Sequence, residues 1–199
     1  GALISWALMM EGGIQINAAG ERFSNEHQGY SEQSVAVLAQ PGKVAWDVFD
    51  DRIHKLGMEF DDYRNASDQR AVVHADTVED LASRIGVDAR KLAAAIAETH
   101  AVGTDRFGRD LSVNPGLDAP FYAVKVTGAL FHTQGGLRID AAARVLRAGT
   151  DDSLPNLYAG GGAACGVSGP EVSGYLSGNG LLTAVTLGRL AGLDAAKSL

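Results

Sequence analysis

The chain has 199 residues, 46% of them hydrophobic and 21% charged, with a formal net charge of −7 and a single cysteine, Cys165. That length buries a real core, as one domain or two small ones, and the composition is that of an ordinary globular protein. The acidic balance argues against a nucleic-acid partner, which needs a basic surface, and one cysteine excludes an internal disulfide framework and fits a reducing compartment.

The opening run GALISWALMM is apolar but has no basic flank, no cleavage site and no initiator Met. It falls short of the roughly 20 apolar residues of a membrane span. It reads as an internal stretch, so the chain is expected to be a fragment of a longer protein, with no membrane span. Gly12–Asn17 (GGIQIN) predicts a strand, followed by a turn at Ala18–Gly20 and the polar run ERFSNEHQGYSEQS. Lys43–Phe49 alternates as a strand should. Thr77 with Asp80 three positions on predicts a capped helix carrying Val78, Leu81, Ala82 and Ile85, and Gly86 ends it. Asp88 caps a second helix with Leu92, Ile96 and Ala97 on its apolar stripe.

A domain boundary is expected near residues 112–118 (SVNPGLD), where helical sequence gives way to strands. Phe121–Phe131 reads as a strand interrupted by Gly128. Leu137–Ile139 and Arg144–Leu146 read as a hairpin around Asp140, Leu157–Ala159 as a short buried strand, and Gly180–Leu193 as a final amphipathic helix. The 25 glycines exceed the usual share of about 7% and cluster near residues 12–20 and 160–180, which suggests tight turns or close ligand approach. A strand passing through glycines into a helix N-terminus presents backbone N–H groups to an electron-rich cofactor.

Two other readings carry less chemistry. Leu81–Ile96 has helix-turn-helix spacing, but its second helix offers only Arg90 and Lys91 near its start, so with net charge −7 it reads as a structural hairpin. His27, His54, His74 and His100 have no metal-ligand spacing, and no metal site is expected. Cys165 reads as a small buried residue beside a glycine turn.

Three segments carry a specific resemblance: Gly12–Asn17 with Gly20–Glu26 (GERFSNE), His132–Gly136 (HTQGG), and Leu154–Gly161 (LPNLYAGG). Together with the helix-pair segment ADTVEDLASRIGVDARKL and the tail GNGLLTAVTLGRLAG, they resemble the C-terminal part of the flavoprotein family of fumarate reductases, succinate dehydrogenase flavoproteins and 3-ketosteroid dehydrogenases. The implied fold is α/β: an α+β cap (substrate) domain over 1–114, incomplete, and over 115–199 the returning C-terminal part of a Rossmann-like FAD-binding domain. The family's GxGxxG, which holds the FAD pyrophosphate, does not occur here.

The resemblance also implies roles. Family fumarate reductases place a catalytic Arg five positions after the Asn of the N-E motif; counted from Asn25, that position is Tyr30. They place a substrate-binding Arg four positions before the Asn of the last turn; counted from Asn179, that position is Tyr175. Ketosteroid dehydrogenases of the family carry tyrosines in comparable places, whereas His132 keeps the fumarate-reductase form H-T-x-G-G. From the residues alone Tyr30 and Tyr175 read as plain surface or boundary tyrosines, and His132 as a structural histidine. With the resemblance, Tyr30, Tyr175 and His132 are the expected catalytic residues. Gly160, Gly161, Gly162, Ser177, Gly178, Asn179, Gly180, Leu181 and Leu182 are the expected contacts of FAD. Where the family often has a Glu, this chain has Gly162.

Arginine forks bind carboxylates bidentately, and tyrosine cannot replace that charge. A phenol can instead donate to a carbonyl oxygen or, ionised, accept a proton. The expected activity is therefore FAD-dependent dehydrogenation or reduction of a C–C bond beside a carbonyl, on a small-molecule substrate less charged than fumarate. The electron partner is unspecified, the compartment expected is the cytoplasm, and the fragment alone is expected to be inactive. The alternatives are a dicarboxylate enzyme of the fumarate reductase or succinate dehydrogenase type, or an inactive substrate-binding fragment.

Overall fold

The computed structural model describes residues 3–130, 133–173 and 175–197. Phe131, His132 and Gly174 lie outside the described residues. The chain divides into two compact units, one ending at Ala129 and the other beginning at Leu130.

The first unit is built on a four-stranded antiparallel sheet in the order β1-β2-β4-β3, with β1 Ile14–Ile16, β2 Ala45–Asp50, β3 Val72–Ala75 and β4 Phe121–Val126. The strand expected over 121–131 ends at Val126, five residues short, and belongs to this first sheet. Residues paired across antiparallel strands share a face. One face therefore carries Ile14, Val48 and Ala123, all fully buried. The other carries Gln15, Asp47 and Val124 in one row and Phe49, Tyr122 and His74 in the next.

Among the described residues six α-helices accompany the sheet: α1 Ala7–Met10, α2 Tyr30–Leu38, α3 Asp51–Gly57, α4 Asp61–Asp68, α5 Val78–Ile85 and α6 Ala89–Glu98. Local signals set α5 and α6 as expected. Thr77 Oγ1 accepts from Asp80 N, Gly86 ends α5 in the left-handed region at φ 74°, and the Asp88 carboxylate accepts from the N–H groups of Arg90 and Lys91. Leu81, Ala82, Leu92 and Ile96 bury the stripe of this helical hairpin in the main core with Ile14, Ile16 and Phe121. On the other side of the sheet, Phe49, Tyr63, His54 and Tyr122 form an aromatic stack, with His54 parallel to Tyr122 at 4.1 Å and its Nδ1 2.7 Å from the Tyr63 hydroxyl.

The second unit is small. Strand β5 Arg144–Leu146 pairs antiparallel with β6 Ser153–Tyr158, and the long helix α7 Asn179–Lys197 follows. The hairpin expected between 137–139 and 144–146 reduces to one antiparallel bridge, Ile139 to Val145, with Asp140 Oδ1 accepting from Ala142 N and Arg144 N. The main partner of 144–146 is β6. The strand read as buried at Leu157–Ala159 is half wrong: Ala159 is buried, but Leu157 is exposed. Cys165 is also exposed rather than buried, its thiol 3.0 Å from the Gly136 carbonyl. Helix α7 is pinned by Arg144, which donates from Nε and Nη2 to both Asp194 oxygens at 2.6 and 2.7 Å, while the Tyr158 hydroxyl donates to Oδ2 at 3.0 Å. Among the described residues no helix is long and apolar enough to cross a membrane.

Candidate active site and cofactor edge

In the first unit the N-E motif sits on a buried ionic network. Residues 21–29 form a loop in which Arg22 bridges the end of β1 at Ile16. Glu26, with no exposed surface, accepts from Arg22 Nε at 2.9 Å and Nη2 at 2.7 Å, from Arg109 Nη1 at 2.9 Å and from the Gln15 N–H at 3.1 Å. Arg22 also meets Asp105 at 2.8 Å and Glu98 at 3.2 Å. Burial works against the Arg22 charge, yet the bonds and fields of Glu26 and Asp105 hold it more firmly protonated than an ordinary arginine. Burial likewise opposes the Asp105 carboxylate. The Arg109 and Phe107 N–H groups and Arg22 outweigh it and pull its pKa below the usual aspartate value.

A second buried cluster adjoins this one. Asp47 Oδ1 accepts from Gln15 Nε2 at 2.7 Å, and burial, reinforced by the Glu26 charge, pushes the Asp47 carboxyl up to about 7 although the Gln15 bond opposes the rise. His27 donates from Nε2 to the Met9 carbonyl at 3.2 Å; burial, and then the Arg109 charge, lower its pKa.

Tyr30 is the first residue of α2, directly after Gly29, whose φ of 118° suits glycine alone. Its side chain is 42% exposed. Tyr30 thus belongs to the first unit and Tyr175 to the second, where it is half-buried in the segment before α7. His132 falls outside the described residues. Two open cavities of about 290 and 610 Å³ lie along the first unit, one lined by Asp50, Arg52 and Pro115 and the other by Arg22, Lys91, Arg106 and Phe107; neither is lined by a predicted site residue. Among the described residues no group of His, Cys, Asp and Glu could hold a metal ion.

The second unit carries the glycine turns. Residues 134–137 run beside the turn after β6: Leu137 N donates to Ala163 O at 2.9 Å, Cys165 N to Leu137 O at 3.0 Å and Gly166 N to Gln134 O at 2.9 Å. Gly136 is required there, because a Cβ would lie 2.4 Å from the Ala164 carbonyl oxygen. Gly160 and Gly161 are explained by α7, since their Cβ atoms would come within 3.0 Å of Leu187 Cβ and 3.1 Å of Ala184 Cβ. Gly162 differs: a Cβ there meets nothing within 4 Å.

Helix α7 starts at Asn179, one residue earlier than expected, after a turn in which Gly178 has φ 84°. Asn179 is buried, donates from Nδ2 to the Ser168 hydroxyl, and its Oδ1 has no hydrogen-bond partner. Such an orphaned acceptor is costly unless a donor arrives. The first-turn N–H groups of a 19-residue helix, with Leu181 77% and Leu182 64% exposed beside them, stand next to it. A polar acceptor, the backbone N–H groups of a helix start, apolar side chains and the open Gly162 backbone fit the edge of a flat, electron-rich ring system such as a flavin.

The sequence reading missed Arg109, Asp105, Gln15, Gln33 and Asp47. Arg22 and Glu26 sit four apart inside GERFSNE, which was a usable signal. Arg109 reaches Glu26 across 83 positions, and no local pattern announces that.

Comparison with known proteins bears on the same segments. The FAD binding domain family matches residues 1–181. A fumarate reductase (cytochrome) of Shewanella frigidimarina is 33% identical over 203 residues, covering 99% of this chain and 34% of the relative. Among solved structures, the open conformation of a flavocytochrome c3 fumarate reductase matches with TM-score 0.71 at 34% identity, over 98% of this chain and 34% of that one. The 3-ketosteroid delta1-dehydrogenase of Sterolibacterium denitrificans, in complex with 1,4-androstadiene-3,17-dione, matches with TM-score 0.70 at 28% identity, over 94% of this chain and 39% of that one. The chain spans about a third of the length of the fumarate reductases it matches.

Proposed function

We propose, since this chain belongs to the FAD binding domain family, that it is the cap and cofactor-edge part of an FAD-dependent oxidoreductase acting on a C–C bond beside a carbonyl. The feature that carries this reading is the pair Tyr30 and Tyr175, five positions after Asn25 and four before Asn179, where the resemblance implies arginines in fumarate reductases of the family. Resemblance to both a fumarate reductase and a ketosteroid dehydrogenase supports the reaction class.

The first unit, which ends at Ala129 and includes β4, serves as the cap, and the second, from Leu130 on, as the returning piece of the cofactor domain, a later boundary than the one expected at 114/115. Asn179, Gly178, Gly180, Ser177, Leu181 and Leu182 hold the isoalloxazine edge, and the bare Gly162 backbone, beside Gly160 and Gly161, lets it approach. FAD supplies the two-electron redox chemistry when bound. The protein's part is position and proton handling. One phenol donates to the substrate carbonyl oxygen and builds up the acidity of the neighbouring carbon, and the other, helped by its surroundings, takes or returns the proton. His132, in the H-T-x-G-G form, is the third substrate-binding residue of this reading. The compartment is the cytoplasm.

A dicarboxylate substrate is the second reading, favoured by the HTQGG form at His132–Gly136 and by the fumarate reductase relative. The test uses the full-length flavoprotein. Anaerobic bleaching of the flavin by a cyclic ketone, lost by about 10²- to 10⁴-fold in Tyr30→Phe and Tyr175→Phe, is the expected result. Rapid reoxidation of reduced flavin by fumarate, with both tyrosine variants at full turnover, would overturn it.

A further inference from the structure

We propose that Gln33 is a positioning residue for Tyr30, acting through a one-way chain of amide hydrogen bonds that runs from Gln28 through Gln33 and Gln15 to Asp47. The inference rests on the reading of Tyr30 as a substrate-facing phenol.

Gln28 Nε2 donates to Gln33 Oε1 at 3.1 Å, Gln33 Nε2 donates to Gln15 Oε1 at 2.7 Å, and Gln15 Nε2 donates to Asp47 Oδ1 at 2.7 Å. The second Gln33 N–H goes to the Ser24 hydroxyl. A carboxyl oxygen at the buried end accepts, so it fixes the orientation of the Gln15 amide. The Gln15 carbonyl then fixes Gln33, and Gln33 fixes Gln28. Every link is directional, and the end of the chain is anchored in the middle of β2.

The outer end closes around Tyr30. Gln28 and Gln33 flank it in sequence, and their side chains meet, so the 28–33 clasp spans Gly29 and the first turn of α2. Gly29 gives no side-chain cap, and only Gln33 and Val37 of the nine α2 residues are buried. A leucine at 33 would bury the same volume without needing partners, but it would fix no direction; a fully satisfied buried amide fixes one. Gly29 cannot take up the task, because its freedom at φ 118° permits the chain reversal without choosing its angle.

The experiment labels the 199-residue chain with 3-fluorotyrosine and reads its five tyrosines by ¹⁹F NMR, with Tyr30 assigned from Tyr30→Phe. In Gln33→Leu and in the milder Gln28→Ala, the Tyr30 resonance is expected to shift and broaden while the other four stay in place. In Asp47→Asn, which keeps an accepting carbonyl, it is expected to stay. If Gln33→Leu does not fold, Gln28→Ala decides alone. A Tyr30 resonance unmoved in the folded variants overturns the proposal. In the full-length flavoprotein, Gln33→Leu is expected to lower kcat by about 10- to 100-fold with little change in KM, and to cost nothing more once Tyr30 is Phe. A further loss in the Tyr30→Phe background would also overturn it. Should Tyr30→Phe keep full turnover, the catalytic reading fails while the ¹⁹F result still stands or falls by itself.

Discussion

Glu26 grips Arg22 at two points, Oε1 to Nε and Oε2 to Nη2, with both side chains wholly shielded from solvent. The two residues are four apart in a loop, not a helix, so the pair does not reinforce a helical turn. It joins the N-E loop to β1 through Gln15 N and to residues 105–109 through Arg109 and Asp105. The loop that leads to Tyr30 is thereby held by charge at one end and by amides at the other.

Removing one member of that network strands the others. Glu26→Ala leaves the Arg22 and Arg109 guanidiniums buried with less than their full countercharge, and it is expected to destabilise the chain by about 3–5 kcal/mol. Arg84→Ala, which breaks the exposed pair with Asp80, is expected to leave the denaturation midpoint almost unmoved. Urea or guanidinium titration of the two variants measures the contrast. Equal midpoints would mean that Glu26 contributes no more than a surface ion pair.

Asp47 gives the chain a pH dependence of unusual sign for a carboxyl. Its folded pKa is about 7 against an ordinary value of 3.8, so the folded state binds the proton more tightly than the unfolded one. Its contribution is complete below the unfolded value and is lost as pH rises through the folded one, at about 1.4 kcal/mol per pH unit across that window. His27 and His54, lowered mainly by burial, act oppositely: their contribution is present above the unfolded histidine value and is lost as pH falls. The clean measurement is therefore a difference. Stability of Asp47→Asn relative to the parent is expected to grow from pH 4 toward pH 7 and then level off. A flat difference would show that Asp47 ionises in the folded chain as it does in water.

How much of this was legible depended on the range of the interaction. Thr77, Gly86 and Asp88 act on backbone groups within three or four residues, so the α5–α6 hairpin was readable from its caps. The glycine turn into α7 was readable for the same reason. Helix α2 was not, because its first half is polar and its buried face consists of Gln33 and Val37, a pattern without an apolar stripe. The helix α4 segment DDYRNASD buries only Tyr63 and Ala66 and was missed in the same way. Leu157 reads as buried because it is apolar and in a strand, whereas β6 belongs to a two-stranded ladder and Leu157 is exposed. The Arg109–Glu26 and Gln33–Gln15 bonds join distant positions, and nothing local selects such partners.

Gly57 illustrates a constraint of packing alone. It ends α3 with an ordinary helical φ, but a Cβ would sit 2.9 to 3.1 Å from the Tyr63 ring, itself fully buried and bonded to His54. Gly57→Ala is expected to destabilise by about 1–3 kcal/mol through overpacking, although alanine favours helix. A thermal melt that rises instead would show that the aromatic stack has room to move.

The glycines after β6 separate structure from cofactor contact. At Gly161 a side chain faces two costs, a φ of 55° and a Cβ 3.1 Å from Ala184 Cβ, so Gly161→Ala is expected to loosen α7 and to lower stability by about 1–3 kcal/mol. At Gly162 the backbone is not in the left-handed region and a Cβ meets nothing, so Gly162→Ala is expected to leave the chain as stable or to add about 0.4–1 kcal/mol. If that open face receives the flavin, the added methyl occupies the space the ring needs. The full-length Gly162→Ala protein should then melt like its parent without FAD and bind FAD at least about tenfold more weakly, a difference of roughly 1.4 kcal/mol. Differential scanning calorimetry with and without FAD, together with flavin fluorescence titration, reads both quantities. Unchanged FAD affinity in a folded Gly162→Ala protein would remove Gly162 from the cofactor edge and leave Asn179 and the first turn of α7 to carry it.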